Sequence, residues 1–186
     1  GFINIVAAVR MAPIKDIKTM IYAFYEVSVQ MPNARLYVMG GVDDKGYANE
    51  CYDLVRKLKL DNLIFTGRVD VKEYLKRMDF MILTSISEGQ PLSVLEAMAA
   101  GKACVTTDVG CCRELLEGRE DDNLGPAGYC VPPTDLSGLA DAMLRMASVE
   151  EERLVMGKTA KKRAELYYQY DQMIDQYRQM YKEYVK

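Results

Sequence analysis

The chain has no histidine. That one absence removes the Ser-His-Asp triad, the Cys-His pair and every histidine-ligated metal site. Its cysteines, Cys51, Cys104, Cys111, Cys112 and Cys130, form no C-x-x-C pair and are odd in number. Neither a disulfide framework nor a zinc site is expected, and a reducing, cytoplasmic compartment fits better. Cys104 and Cys130 lie in apolar runs, as small core hydrophobes do. No apolar run approaches the roughly 18 residues of a membrane-crossing helix. A formal charge of -3 carries no polybasic signal for nucleic acid or an anionic membrane. Both the G-x-G-x-x-G dinucleotide fingerprint and a Walker loop are missing. So is a D-x-D pair that could hold a divalent metal: Asp43-Asp44 and Asp121-Asp122 are adjacent and lie in polar turns.

What is present is a soluble-type composition in 186 residues, 49% hydrophobic and 27% charged, enough for one core. The opening GFINIVAAVR has no basic n-region and no small-residue cleavage site. It reads as a strand already under way, which implies a preceding segment. Apolar runs at Ile3-Val9, Arg35-Met39, Leu63-Thr66, Phe80-Thr84, Ala103-Thr107 and Tyr129-Val131 predict six strands. Most are continuous rather than alternating, as in strands buried on both faces. Helical patterns fall between and after them, near 16–30, 46–59, 71–77, 91–100, 111–117 and 136–147. Asp70-Val71-Lys72-Glu73 has the form of a capping box. Pro91 suits a first turn and Gly101 a helix stop. Strand-helix alternation predicts an α/β fold: a doubly wound, Rossmann-like parallel sheet whose ligand sits beyond the C-terminal strand ends.

Residues 1–148 thus read as one Rossmann-like unit, and residues 149–186 as C-terminal helices packing on it. Val149-Arg163 reads as a charged helix, and Tyr167-Val185 as a second. In the latter Tyr170, Met173, Ile174, Tyr177, Met180, Tyr181 and Tyr184 recur at spacings of three and four. Such a stripe either faces the core or docks on a further domain.

The ligand edge collects the candidate chemistry. Glu88-Gly89-Gln90-Pro91-Leu92 runs into a helix whose free N–H groups suit an anion. Gly89 lets backbone approach a ligand closely. Glu96 is the one charge on that apolar helix. It is either a solvated glutamate or an acceptor for ligand hydroxyls, since a carboxylate can hold a vicinal diol. Glu88 has the same two readings. Arg10 ends the first strand, and Lys15 opens the next helix, where the dipole disfavours a cation. They are either solvated residues of a turn or the two sides of an anion site.

The segment SEGQPLSVLEAMAAGKACVTTDVG, with Glu88 and Glu96, resembles the E-x7-E motif of retaining GT-B glycosyltransferases of family four. Arg10 and Lys15 resemble that family's diphosphate-binding pair. The likeness covers essentially the whole chain, but only the C-terminal half of the family's fold. RMAPIKDIKTMI, EGQPLSVLEAMAAG, TDVGCCRELLEG and the closing tyrosine-rich segment are similar to Pel-type exopolysaccharide glycosyltransferases, which use UDP-glucose. The resemblance implies roles. Glu88 contacts donor-sugar hydroxyls and Glu96 the ribose. Gly89, Gln90, Pro91 and Leu92 offer backbone to sugar and phosphate. Arg10 and Lys15 hold the diphosphate, and the loop of Arg68 and Val69 frames the uracil. It implies catalysis by Glu88, Arg10 and Lys15 without cofactor or metal, a glycan acceptor bound by an N-terminal domain, and a place beside a membrane-associated polysaccharide-synthesis complex at the inner membrane. Two rivals stand beside it: a non-catalytic nucleotide-sugar-binding module, and a GT-B-shaped nucleotide-sugar epimerase, which generally relies on a histidine.

Overall fold

A computed structural model describes residues 1–184. Six strands form one sheet in the order β3-β2-β1-β4-β5-β6, every neighbouring pair parallel. They are β1 (Ile3–Ala8), β2 (Ala34–Met39), β3 (Leu63–Gly67), β4 (Phe80–Leu83), β5 (Ala103–Thr107) and β6 (Gly128–Val131). All six expected strands are present, within about a residue at each end. The continuous apolar runs mark the middle of the sheet: every residue of β4 and β5 is buried. Burial on both faces leaves no solvent side for an alternating polar residue.

The helices are α1 (Ile17–Gln30), α2 (Lys45–Leu58), α3 (Val71–Leu75), α4 (Leu92–Ala99), α5 (Cys112–Glu117), α6 (Leu136–Ser148), α7 (Glu150–Tyr167) and α8 (Tyr170–Tyr184). Aspartates start four of them. Asp16, Asp44, Asp70 and Asp135 each accept from a backbone N–H of the first turn of α1, α2, α3 and α6. The expected capping box at α3 is only half formed. Asp70 accepts from Lys72 N at 3.0 Å, but Glu73 pairs with Lys76 instead of reaching back. Gly101 does stop α4. It adopts φ +73°, its N–H donates to Met98 O, and Lys102 N donates to Ala97 O, which satisfies two end carbonyls.

Helix α1 packs on α2 and α6, while α4 packs on α7. The charged helix foreseen at 149–163 continues to Tyr167, and two of its charges point inward. Arg153 donates to Met146 O and Ala147 O at the end of α6. Arg163 is fully buried and donates to Leu115 O and Leu116 O at the end of α5, to Gly125 O, and to Asp122 at 2.5 Å. These arginines satisfy carbonyls that a helix end leaves open. Gly157, beside them on α7, has no room for a side chain, since a Cβ there would lie 2.4 Å from Gly101 O. The tripeptide Gly157-Lys158-Thr159 looks like the end of a Walker loop, but it lies inside α7 and lacks that loop's upstream glycine.

Helix α8 corrects the core-facing reading of the tyrosine stripe. None of its residues is buried, and Tyr170, Met173, Tyr177, Met180, Tyr181 and Tyr184 are all exposed, from 42% to 82%. Val185, the expected end of this helix, lies outside the described residues. Among the described residues no helix is long and apolar enough to cross a membrane.

Candidate functional site

The sheet order contains one switch point. From β1 the chain moves outward through β2 to β3, then returns to place β4 on the other side of β1. The loops after β1 and β4 therefore diverge and leave a crevice at the C-terminal strand ends. Arg10 and Lys15 follow β1, and Ser85 to Leu92 follow β4, so the fold brings the two sequence-distant candidate segments to one place.

Local geometry binds the two loops together. Residues Pro13–Lys15 form a short 3-10 turn, and Asp16, at φ 44°, starts α1. Lys15 therefore precedes the helix rather than opening it, so the dipole argument against a cation there no longer applies. Ile86 N donates to Ile14 O at 2.9 Å across the crevice. The Thr84 hydroxyl donates to Lys15 O at 2.8 Å and Asp16 O at 3.1 Å. Lys15 Nζ lies 2.5 Å from Glu88 Oε1, with both side chains mostly buried, at 17% and 14% exposure. Ser85, itself fully buried, donates from its hydroxyl to the same Oε1 at 2.6 Å. A mostly buried carboxylate needs such donors, because an unpaired one is costly to desolvate.

The β5 loop supports this cluster from behind. Thr107 donates to Ser85 O at 2.6 Å, and Cys111 N donates to Gly89 O at 3.0 Å. Gly110, at φ +55°, passes so close that a Cβ would sit 2.2 Å from Gly89 O and 2.4 Å from Glu88 O. Only glycine fits there, on both grounds. Gly89 is the opposite case: a Cβ on it would meet nothing within 4 Å, so its surroundings leave that side open. Nearby, Arg113 holds the Asp108 carboxyl below the usual carboxylate range through a 2.6 Å ion pair.

Helix α4 begins at this point with no side-chain cap: Pro91 stands at its N-cap position and offers no acceptor. Its first N–H groups are thus left to solvent or a ligand. Pro91 is buried, while Gln90 and Leu92 are exposed. Glu96 follows one turn later, also exposed. The two glutamates differ sharply: Glu88 is engaged and mostly buried, Glu96 is open to solvent.

The other candidates form a second group. Arg10 is 67% exposed and pairs with Asp43 at 2.5 Å, so it leans toward the β2 loop rather than toward Lys15. That loop is tied to β1 through Met11 N to Gly41 O at 2.8 Å and Asp43 N to Met11 O at 3.2 Å. Arg68, after β3, lies over Gly41, where a Cβ would meet its Nε at 2.8 Å. Val69 is half-buried against the core. Arg10, Lys15, Arg68 and Glu88 therefore line one edge in sequence, but each cation of the Arg10/Lys15 pair already has a carboxylate. Sequence reasoning assigned no role to Ser85, Thr84, Thr107, Gly110 or Asp43. The available signal was position, since each lies in a loop at the same edge. A cavity between Leu124, Val149, Val155 and Met156 lies away from these residues, whereas Arg10, Gln90, Leu92 and Glu96 are open to solvent. The site is an open ledge. Among the described residues no group of three or more histidine, cysteine, aspartate or glutamate side chains could hold a metal ion.

Comparison with known proteins places the chain in a family. The profile of the family described as "Glycosyl transferases group 1" matches residues 3–148. The chain belongs to that family. This group 1 domain is 29% identical over 170 residues to N-acetyl-alpha-D-glucosaminyl L-malate synthase of Bacillus anthracis, which covers 90% of this chain and 42% of that protein. It is 28% identical to an N,N'-diacetylbacillosaminyl-diphospho-undecaprenol alpha-1,3-N-acetylgalactosaminyltransferase of Campylobacter jejuni, over 81% of this chain and 37% of that protein. The chain thus spans well under half the length of these relatives. Its fold is shared with Anabaena HepE, solved with UDP-glucose, at TM-score 0.86 and 17% identity, over 98% of this chain and 49% of that one. It is shared too with the C-terminal domain of the group 1 protein LpcC of Francisella tularensis, at TM-score 0.78 and 23% identity, over 91% and 87%. The expected doubly wound α/β, GT-B-type fold with C-terminal helices is the observed one.

Proposed function

We propose that this group 1 domain is the donor-binding half of a retaining glycosyltransferase that moves a hexose from a UDP-sugar to a glycan acceptor. The observation that carries the reading is the cluster at the switch point: Lys15, Ser85 and Glu88 joined across the crevice, beside an uncapped helix start with Glu96 one turn on. In this reading Glu88 meets the sugar and Glu96 the ribose diol. Lys15, Arg10 and the amides from Gly89 to Leu92 meet the diphosphate, while Arg68 and Val69 border the base.

Transfer breaks the bond from the sugar C1 to the diphosphate, and negative charge grows on the leaving group. Cations and helix-start amides placed there act where that charge develops. Lys15 has three donors, so it can keep Glu88 and still meet a phosphate. Arg10 would leave Asp43, at little cost, because an exposed ion pair holds its partners weakly. Glu88 orients the sugar, and orientation is itself a large part of rate. No side chain at the ledge is assigned as a covalent nucleophile, and no metal is invoked.

Support for a UDP-sugar comes from HepE, solved with UDP-glucose, and from relatives named for N-acetylglucosaminyl and N-acetylgalactosaminyl transfer. We favour UDP-glucose, a Pel-type exopolysaccharide role and a cytoplasmic setting, with α8 docking toward an acceptor-binding domain. Calorimetric titration of this chain with UDP, UDP-glucose and UDP-N-acetylglucosamine tests the reading. Weak binding of UDP with a gain for one UDP-sugar is expected, alongside negligible transfer by the 186 residues alone. No affinity for any of the three would sink it, and robust turnover would refute the division of labour between two domains.

A further inference from the structure

Glu88 is a flexible side chain that the protein's own groups hold in place. Its Oε1 accepts from Lys15 Nζ at 2.5 Å and from the Ser85 hydroxyl at 2.6 Å. Among the described residues no hydrogen bond to its Oε2 is found. Ser85 is a rigid anchor for this purpose. It is fully buried directly after β4, and the Thr107 hydroxyl fixes its carbonyl at 2.6 Å. The next residue, Ile86, is tied to Ile14 by its backbone N–H. Gly110 presses on the Glu88 and Gly89 carbonyls from the other side. Glutamate is among the side chains with most rotamer freedom to lose on ordering, so fixing it in advance favours binding.

We propose that Ser85 is a positioning residue: it fixes the Glu88 carboxylate through Oε1, leaving Oε2 as the atom that reads a hydroxyl of the transferred sugar. This rests on the reading of Glu88 as the sugar contact. Its consequence separates the two glutamates. Exposed Glu96 can offer both oxygens to a vicinal diol, whereas Glu88 offers one. Ser85 touches no ligand. It acts only through Glu88, so its effect vanishes when Glu88 is gone.

The test is a double-mutant cycle on the tighter-binding of UDP-glucose and UDP-N-acetylglucosamine, measured as its affinity relative to UDP. Ser85→Ala should lower that preference about tenfold, the scale of one hydrogen bond to a charged group, and leave UDP affinity within about twofold. In a Glu88→Ala background the same Ser85→Ala change should alter the preference less than about twofold. Should Ser85→Ala fail to fold, Ser85→Cys, a near-isosteric and weaker donor, takes its place with the same pattern expected. Equal losses for UDP and UDP-sugar, or an undiminished effect without Glu88, would make Ser85 merely structural and overturn the proposal. A Glu88→Ala variant that keeps the full preference would overturn the sugar role of Glu88 itself. Retained preference in Ser85→Ala, with loss in Glu88→Ala, would overturn only the role of Ser85.

Discussion

Glu88 and the residues around it give the sharpest residue-scale expectations. Lys15→Ala removes one of the two donors to a mostly buried carboxylate, and should cost about 1.5–3 kcal/mol in urea denaturation. UDP affinity should fall with it, whereas Lys15→Arg should keep most of the stability. Two neighbouring glycines make a contrasting pair. Gly110→Ala forces a side chain into φ +55° and against the Gly89 carbonyl, so about 1–3 kcal/mol of stability should go. Gly89→Ala meets open space at ordinary φ, so stability should stay within about 0.5 kcal/mol while UDP-sugar affinity drops. Equal destabilisation by both would show that Gly89 is packed rather than open. At this scale the sequence told which residue types stood at the ligand edge. It did not tell that Arg10 and Lys15 each hold a carboxylate, or that Ser85 backs Glu88. Those facts depend on how separate loops meet in space, over 33 residues for Arg10 and Asp43 and 73 for Lys15 and Glu88, and on the local turn that aims Glu88 at Ser85.

Among the elements, α7 was the least legible. It read only as a charged helix, and arginine is rarely buried. Arg153 and Arg163 are buried all the same, since each closes the carbonyls that α6 and α5 leave open. Arg163→Ala would remove the donor from Asp122 and from three carbonyls, and should cost about 3–5 kcal/mol. Urea midpoints would measure it. The same pair sets an acid sensitivity. Arg163 holds the folded Asp122 carboxyl below its ordinary range. Its contribution is therefore complete above the unfolded value, near about 3.9, and is lost as pH falls through the lower folded value. Stability between pH 5 and 2 should fall less steeply in Asp122→Asn than in the parent. The strands, by contrast, were legible almost to the residue, because burial on both faces writes an unbroken apolar run. Helix α8 shows the limit of periodicity: its stripe is regular, yet a stripe does not say what covers it.

For the molecule as a whole, the strand order is what converts a list of candidate residues into a site. The sequence implied parallel alternation, but the switch point between β1 and β4 is set by pairing over long separations, as in Ile5 with Phe80. Exposed tyrosines and methionines along α8 form an apolar face of the kind that self-associates. Sedimentation of this chain should show concentration-dependent association, weakened by Tyr177→Ser with Tyr181→Ser. A strict monomer throughout would count against a docking role for that face.

The central claim is that two carboxylates grip one extended donor, Glu88 at the sugar and Glu96 at the ribose. Its most direct test is calorimetric titration of the parent, Glu88→Ala and Glu96→Ala with UDP and with the preferred UDP-sugar. Glu96→Ala should weaken both ligands alike, by tenfold or more on the scale of about 1.4 kcal/mol per decade. Glu88→Ala should leave UDP nearly unchanged and erase the gain from the sugar. Variants that both bind like the parent, or a Glu88→Ala that loses UDP and the UDP-sugar in the same proportion, would contradict the account.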